Sequence, residues 1–305
     1  MPIKIPYEKI VNEDFIGKEI NPINQQDIYM MAEKYSNEVI KCLEDESINL
    51  LIVDPQRDFI DMEKGALPVK NAVNDIKNII RFIYNNMEKL SSIYVTLDTH
   101  RYDSIFHPIM WRDYNNKSLA PFTEVTLEKI ENDEIIPVYD DDIQINYVKA
   151  LKERGSQNLM IWPYHCLYAT DGWLIDKQLS NMLLFFEAAR KIYINKILKG
   201  QDSFSEMYGV IRPEVPTEYT KQYDISWVYD IKNADKIYIC GEAKDYCVYE
   251  SVKQFCEIYD NDRSVTETIH VMMNCSSAIG DNEVCNAKYQ KLSKEYGIKL
   301  IDIVV

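Results

Sequence analysis

The chain is short of positive charge: 34 Lys and Arg stand against 49 Asp and Glu, for a net charge of −15 and a pI near 4.8. Phosphate backbones and anionic membrane surfaces are held by concentrated Lys and Arg. Neither nucleic acid nor a membrane is therefore an expected partner, and a small-molecule substrate fits better. No uninterrupted apolar run reaches the roughly 18 residues that span a bilayer, and the opening MPIKIPYEKIVNED lacks the apolar core of a signal peptide. A soluble, cytoplasmic protein is expected. The seven cysteines are scattered without a close-spaced framework, which suits reduced thiols rather than a disulfide scaffold. No segment is Gly/Ser-rich, low in complexity or repeated. With 46% hydrophobic residues and 22 Tyr in 305 positions, the chain has ample material for a compact core.

What is present is an alternation of short apolar runs and amphipathic segments. Ile48 to Val53, Ser92 to Leu97, Leu159 to Trp162, Ile192 to Leu198, Lys236 to Cys240, Thr268 to Met273 and Lys299 to Val304 read as strands. Between them, helices are expected over Val69–Leu90, Asp140–Arg154, Asp176–Ala189, Tyr246–Ile258 and Asn282–Tyr296, and one over Gln26–Glu44 precedes the first strand. Tyr102–Val125 and Ser203–Thr220 read as loops, the second restricted by Pro213 and Pro216. Strand and helix in alternation imply an α/β protein, a three-layer αβα stack around a mostly parallel, doubly wound sheet. In such sheets ligands bind at the carboxyl ends of the strands.

Those ends are where the polar residues gather. Asp54 follows the first strand, Asp98 and His100 the second, Lys199 the strand from Ile192, and His165 lies in WPYHC after Leu159 to Trp162. Lys236 to Val248, KIYICGEAKDYCV, runs through Gly241 into a turn and a helix whose first turn carries Cys247. Free N–H groups and the positive end of a helix favour a thiolate there, lowering a pKa that otherwise lies near 8.5. Each residue alone has an ordinary explanation: Asp54 as a turn cap, Lys199 as a solvated lysine, Cys247 as a small buried hydrophobe, the histidines as polar loop residues.

Together they resemble the cysteine hydrolases of the isochorismatase-like superfamily, and within it the nicotinamidases, from Ile48 to the C-terminus. The D-x-Q-x-D-F motif appears as Asp54, Gln56, Asp58 and Phe59; D-x-H as Asp98 and His100; W-P-x-H-C as Trp162, Pro163, His165 and Cys166. Lysine-glycine appears as Lys199 and Gly200, and G-x-A-x-D-x-C-V as Gly241, Ala243, Asp245, Cys247 and Val248. The resemblance implies a cysteine amidohydrolase that converts nicotinamide or a close heteroaromatic amide to its acid and ammonia through a thioester. It implies Cys247 as nucleophile, Asp54 as proton acceptor and donor, Lys199 beside them, and the backbone N–H groups of Ala243 and Cys247 as oxyanion hole, with a cis peptide between Glu242 and Ala243. Phe59 and Trp162 fall where the family stacks the pyridine ring.

Asp98, His100 and His165 fall at the family's metal site, a donor set that suits Zn²⁺ and that Fe²⁺ or Mn²⁺ could also occupy. His107 is a candidate further ligand, since some members use a third histidine nearby; His270, in a strand, is assigned a structural role. The implied organisation is an N-terminal helical extension over residues 1–47 and a hydrolase domain over 48–305, with an enlarged segment from Tyr114 to Asn158. Members are often dimers or tetramers, so a homo-oligomer is expected. The chain departs from the family at Glu242, where an aliphatic residue is usual, in YATDGW from Tyr168 to Trp173, and in Gln201 to Gly209. Two alternatives stand beside the nicotinamide reading: a related hydrolase of another small amide, carbamoyl or maleamate-like, and a non-catalytic metabolite-binding protein of the same fold.

Overall fold

The computed structural model describes residues 7–36, 46–220 and 223–304. Its centre is a six-stranded sheet of β1 (Ile48–Val53), β2 (Leu90–Asp98), β3 (Asn195–Lys199), β4 (Lys236–Gly241), β5 (Ile269–Met272) and β6 (Lys299–Ile301). The spatial order is β6-β5-β4-β1-β2-β3, and every neighbouring pair is parallel. All six residues of β1, INLLIV, are buried, which a central strand achieves only when helices cover both faces. The chain moves outward from β1 in one direction through β2 and β3, then returns to the other side of β1 as β4. The carboxyl ends of β1 and β4 therefore flank the point where strand order reverses, the place a doubly wound sheet opens for a ligand.

The helices form where apolar residues recur at helical spacing and where caps are available. The segment α1 (Gln25–Ser36) packs on α4 (Lys177–Arg190), which also touches α2 (Ala72–Asn85). The segment α3 (Asp141–Arg154) begins where the Asp140 carboxylate accepts the Ile143 N–H and ends at Gly155 in a left-handed conformation. On the other side of the switch point, α5 (Tyr249–Ile258) packs against α6 (Asn282–Tyr296). The N-terminal residues join the same core: Ile10, Val11, Ile16, Ile28 and Ala32 are buried. Their backbone is tied to α4, the Asp176 carboxylate accepting the Gly17 N–H at 2.8 Å and Gln178 Oε1 accepting the Asn12 N–H at 2.9 Å. No helix of the described residues is long and apolar enough to cross a membrane.

Several elements differ from the sequence expectation. The helix expected over Gln26–Glu44 is Gln25–Ser36, and the remainder falls outside the described residues. The helix expected over Val69–Leu90 is confined to Ala72–Asn85, because β2 already begins at Leu90. Leu159 to Trp162 is not a strand of the central sheet. Only Leu159–Met160 pairs, antiparallel with Glu124–Val125, and Pro163 follows closely. A short helix, Ser226–Ile231, was not legible in the sequence.

One glycine is required at the switch point. Gly241 has φ +115°, and a Cβ there would overlap the carbonyl oxygen of Val53 in the neighbouring strand. Gly241→Ala is expected to destabilise the fold by about 3 kcal/mol, read as a lowered urea midpoint. An unchanged midpoint would show that β1 and β4 can separate here at little cost.

Candidate active site at the switch point

Lys199 ends β3 with its ammonium wholly buried between two acids, 2.9 Å from Asp54 Oδ2 and 3.1 Å from Asp98 Oδ1. Lys199 Nζ also donates to the Met207 carbonyl at 2.9 Å and to Cys247 Sγ at 3.6 Å. Four strand ends thus place one cation, two carboxylates and one thiol in contact. The main chain brings this about directly: Asp98 is the register partner of Lys199, and Asp54 immediately follows Val53, the register partner of Gly241.

Two side chains fix the acids. The Thr96 hydroxyl accepts the Asp54 N–H at 3.0 Å and donates to Asp54 Oδ1 at 2.6 Å. Gln56 presents its whole carboxamide to the Asp98 main chain, Oε1 accepting the Asp98 N–H at 2.6 Å and Nε2 donating to the Asp98 carbonyl at 2.7 Å. Asp58 accepts the Cys166 N–H at 2.6 Å and so fixes the backbone next to His165. The DPQRDF stretch contains a short helix, Arg57–Ile60, and most of its polar groups serve this scaffold.

Electrostatics follow from burial. Burial works against Lys199, yet Asp54 and Asp98 hold its pKa well above the ordinary lysine value. Burial raises Asp54 above the usual carboxylate range, with Lys199 working in the opposite direction. Burial would also raise Asp98, but His100 and Lys199 hold it well below that range. Cys247 is buried, and burial, with Asp54, Asp98 and Glu206 adding to it, pushes its thiol well above the ordinary value in spite of Lys199. The lowered thiol pKa expected from a helix N-terminus is therefore not what this environment gives. Cys247 sits in a π-helical turn, Lys244–Val248, which precedes α5, and burial, with the surrounding acids, is what raises its thiol. Burial thus favours the neutral thiol, which shares the Lys199 ammonium with Asp54.

The three histidines form a second cluster. His100, His107 and His165 each set Nδ1 against a backbone carbonyl, of Gly200 (3.1 Å), Tyr102 (3.2 Å) and Pro163 (2.8 Å). With Nδ1–H donated, Nε2 carries the lone pair. Ligand atoms of Asp98, His100 and His165 all lie within 4.8 Å of one another. His100 Nε2 is 2.9 Å from Asp98 Oδ2, yet makes no aligned hydrogen bond and is otherwise unpartnered. Two buried ligand atoms side by side without bonding each other is the arrangement a shared cation requires, so these residues fit a divalent metal. His107 is outside that set, with its ring centroid 6.1 Å from those of both other histidines, but its Nε2 is also buried without a partner. Burial, together with His100, lowers His107 to about 2 and His165 to about 3, so both rings are neutral and able to donate a lone pair.

Phe59, Trp162, Tyr208 and Tyr246 wall a cavity that Cys247, Asp98, His165, Glu206 and Ala243 also reach. Trp162 stands edge-on to Tyr246, centroids 5.1 Å apart, and its Nε1–H donates to the Tyr208 hydroxyl at 3.1 Å. The free volume is only about 20 Å³. A larger space, about 630 Å³ between Asn21–Gln25 and Trp173–Ser180, has no cysteine, histidine or acid in its lining. Glu206 and Tyr208 escaped the sequence reading because they lie in an irregular loop with no periodicity. Burial raises Glu206 to about 7, and its N–H is donated to the Tyr147 hydroxyl at 3.1 Å, so the enlarged 114–158 segment props this wall through α3. His270 is remote from the cluster, stacked on Tyr238 in the sheet, as expected of a structural residue.

Comparison with solved structures bears on the fold. The yeast nicotinamidase superposes with a TM-score of 0.58 at 20% identity, over 84% of this chain and 100% of the yeast protein; it has also been solved with the inhibitor nicotinaldehyde. A nicotinamidase/pyrazinamidase of Acinetobacter baumanii superposes at 0.55 and 17% identity, over 85% of this chain and 97% of that one. The six-stranded parallel sheet is therefore the isochorismatase-like fold. No protein-family model matches the chain, and no curated protein matches it in sequence.

Removing the central cation isolates its role. Lys199→Met leaves two buried carboxylates facing each other and is expected to cost about 3–5 kcal/mol at neutral pH. The loss should shrink on acidification, as Asp54 takes up a proton, when urea unfolding is followed from pH 8 to 5. An equal loss at both ends would show that Lys199 contributes packing rather than charge.

Proposed function

We propose that the chain is a metal-containing cysteine amidohydrolase acting on nicotinamide or a close heteroaromatic amide, with the carboxylic acid and ammonia as products. The observation that carries this reading is the contact of Lys199 with Asp54, Asp98 and Cys247 at the floor of an aromatic-walled cavity. A metabolite-binding protein has no use for a buried thiol, a proton acceptor and a cation in mutual contact.

Phe59 and Trp162, with Tyr208 and Tyr246, would clasp a flat ring and hold its amide carbon over Cys247. The cavity's about 20 Å³ admits one water, so these walls separate when a ring enters. Cys247 Sγ attacks the amide carbon as its proton passes to Asp54, and the developing alkoxide is held by the backbone N–H groups of Ala243 and Cys247. The Glu242–Ala243 peptide is cis, as the resemblance implied for this hole. Asp54 then gives the proton to the leaving nitrogen, ammonia departs and a thioester remains. A water that loses its proton to Asp54 attacks the thioester, and Cys247 is restored. Lys199 stays charged and limits the negative charge that accumulates on Asp54 and sulfur. Asp98, His100 and His165 would hold the metal, Zn²⁺ or else Fe²⁺ or Mn²⁺, which would supply a Lewis acid for a substrate nitrogen and offset the negative charge of Asp98.

Nicotinaldehyde, the inhibitor in the yeast structure, is an aldehyde to which a thiol adds reversibly. It is expected to inhibit this protein by forming a hemithioacetal, and Cys247→Ala to abolish both ammonia release and that covalent adduct. Loss of turnover with the adduct still formed would assign the nucleophile elsewhere. Metal content, read by mass spectrometry of the purified protein, is expected to be one divalent ion per chain and to vanish in His100→Ala and His165→Ala. Full occupancy in both variants would remove the metal assignment. Because Asp54 must be ionised to take the thiol proton and burial raises its pKa, kcat/KM is expected to fall on acidification through a pKa above the ordinary carboxylate value. An acid limb at or below that value would exclude Asp54 as the acceptor.

A further inference from the structure

Asp75 and Glu242 are two carboxyl groups that the proposed reaction does not use. Asp75 lies in the first turn of α2, is 1% exposed, and sits across from Glu242, which is 0% exposed. Glu242 is the residue between Gly241 and Ala243, and it does not line the substrate cavity. Neither acid forms an ion pair among the described residues. Glu242 Oε2 accepts the Ser277 N–H at 3.3 Å, and Asp75 Oδ1 accepts Asn71 Nδ2–H at 3.4 Å. The other two oxygens, Glu242 Oε1 and Asp75 Oδ2, are buried without a hydrogen-bond partner; the Ser277 hydroxyl lies beside Asp75, and the two side chains are within hydrogen-bonding reach of each other. Two carboxylates in that position would repel in a dry interior, and a single proton between them removes both the repulsion and the two orphaned acceptors.

The surroundings connect this pair to the reacting centre. Ser277, whose N–H is held by Glu242, accepts the Lys244 N–H through its own carbonyl at 2.9 Å, so the 242–244 backbone is clasped on both sides of Ala243. Asn71 Nδ2–H also donates to Ser277 Oγ at 3.3 Å. The following residues, Ile279 and Gly280, donate their N–H groups to Asp245 at 3.0 and 2.7 Å, and Ile279 lines the cavity.

We propose that Asp75 and Glu242 share one proton, Glu242 Oε1–H donating to Asp75 Oδ2, and that this pair is a positioning device for the Ala243 N–H and the 276–280 loop. The role assigned to Ala243 rests on the amidase reading; the shared proton does not. When the proton leaves, the two charges separate the carboxyls, Glu242 releases Ser277, and the oxyanion donor loses its placement. The charged and titratable groups facing the pair are Lys244, which lowers Asp75, Asp245, which raises Glu242, and the thiols of Cys240 and Cys275. Burial raises Asp75 to about 6 and, with Asp75 adding to it, Glu242 well above the usual carboxylate range. In the unfolded chain both acids release their protons near pH 4. The pair's contribution to stability is therefore complete below about pH 4 and is lost progressively as pH rises toward the folded-state value, each retained proton corresponding to roughly a tenfold change in the folding equilibrium constant per pH unit.

The test uses the full chain, with urea unfolding from pH 5 to 9 and nicotinamide kinetics on the same samples, for wild type, Glu242→Gln, Glu242→Ala and Asp75→Asn. Glu242→Gln keeps a donor toward Asp75 that cannot ionise. Its folding constant should fall with pH about tenfold less per unit than that of wild type within the titration window, and Asp75→Asn should flatten the slope likewise. Glu242→Ala should lower kcat about tenfold or more with KM nearly unchanged, since an oxyanion donor acts in the transition state. Glu242→Gln should restore kcat and remove its decline at alkaline pH. If Glu242→Gln and Asp75→Asn both keep the wild-type slope, no proton is shared and the proposal is wrong; if Glu242→Ala keeps full kcat, the pair does not position the site. Wild type inactive on every amide would overturn the amidase reading, while the slopes would still decide the proton. Should Glu242→Ala not fold, the slope comparison and the alkaline limb of Glu242→Gln remain decisive.

Discussion

The buried ammonium of Lys199 is the constraint around which the candidate site is built. It lies between Asp54 and Asp98 at 2.9 and 3.1 Å, wholly out of solvent. An isolated charge so placed would cost several kcal/mol, and so would each carboxylate without it. The three are stable only together, and their positions come from three neighbouring strand ends. A buried cation of this kind makes the sheet's register a chemical requirement: a slip of one residue in β2 or β3 would part Asp98 from Lys199 and leave unpaired charges in the core.

From this pair of contacts the two halves of the site diverge in character. Toward Cys247 the environment is arranged for proton movement, with a thiol pushed up by burial and an acid that shares the same cation. Toward His100 and His165 it is arranged for lone-pair donation, each imidazole fixed by a backbone carbonyl at Nδ1. Asp98 belongs to both, one oxygen toward Lys199 and the other toward His100. The candidate metal site and the Cys247 thiol therefore lie beside one shared carboxylate, which couples their electrostatics.

Much of this was legible in the sequence because the relevant signals are local. Apolar runs ending in Asp54, Asp98 and Lys199 locate three strand ends, and the rule that parallel sheets bind ligands there brings the residues together before any coordinates. The π-helical turn around Cys247 was not legible, because the choice between five-residue and four-residue hydrogen bonding is set by the tertiary clasp of Ser277 and Asp245. Glu206 and Tyr208 were missed for a similar reason. Their loop is shaped by remote side chains: Gln254 accepts the Ile211 and Arg212 N–H groups, and Tyr147 accepts that of Glu206. Thr96 is one of several hydroxyl residues in its strand, and only the structure shows it bonded to Asp54.

Acid quench of the protein during turnover of nicotinamide, followed by mass spectrometry of its peptides, tests Cys247 as the nucleophile. The account predicts a pyridine-3-carbonyl thioester on the peptide containing Cys247, sensitive to hydroxylamine. Sustained ammonia release with Cys247 unmodified, and with the cysteine dispensable on replacement by alanine, would contradict it.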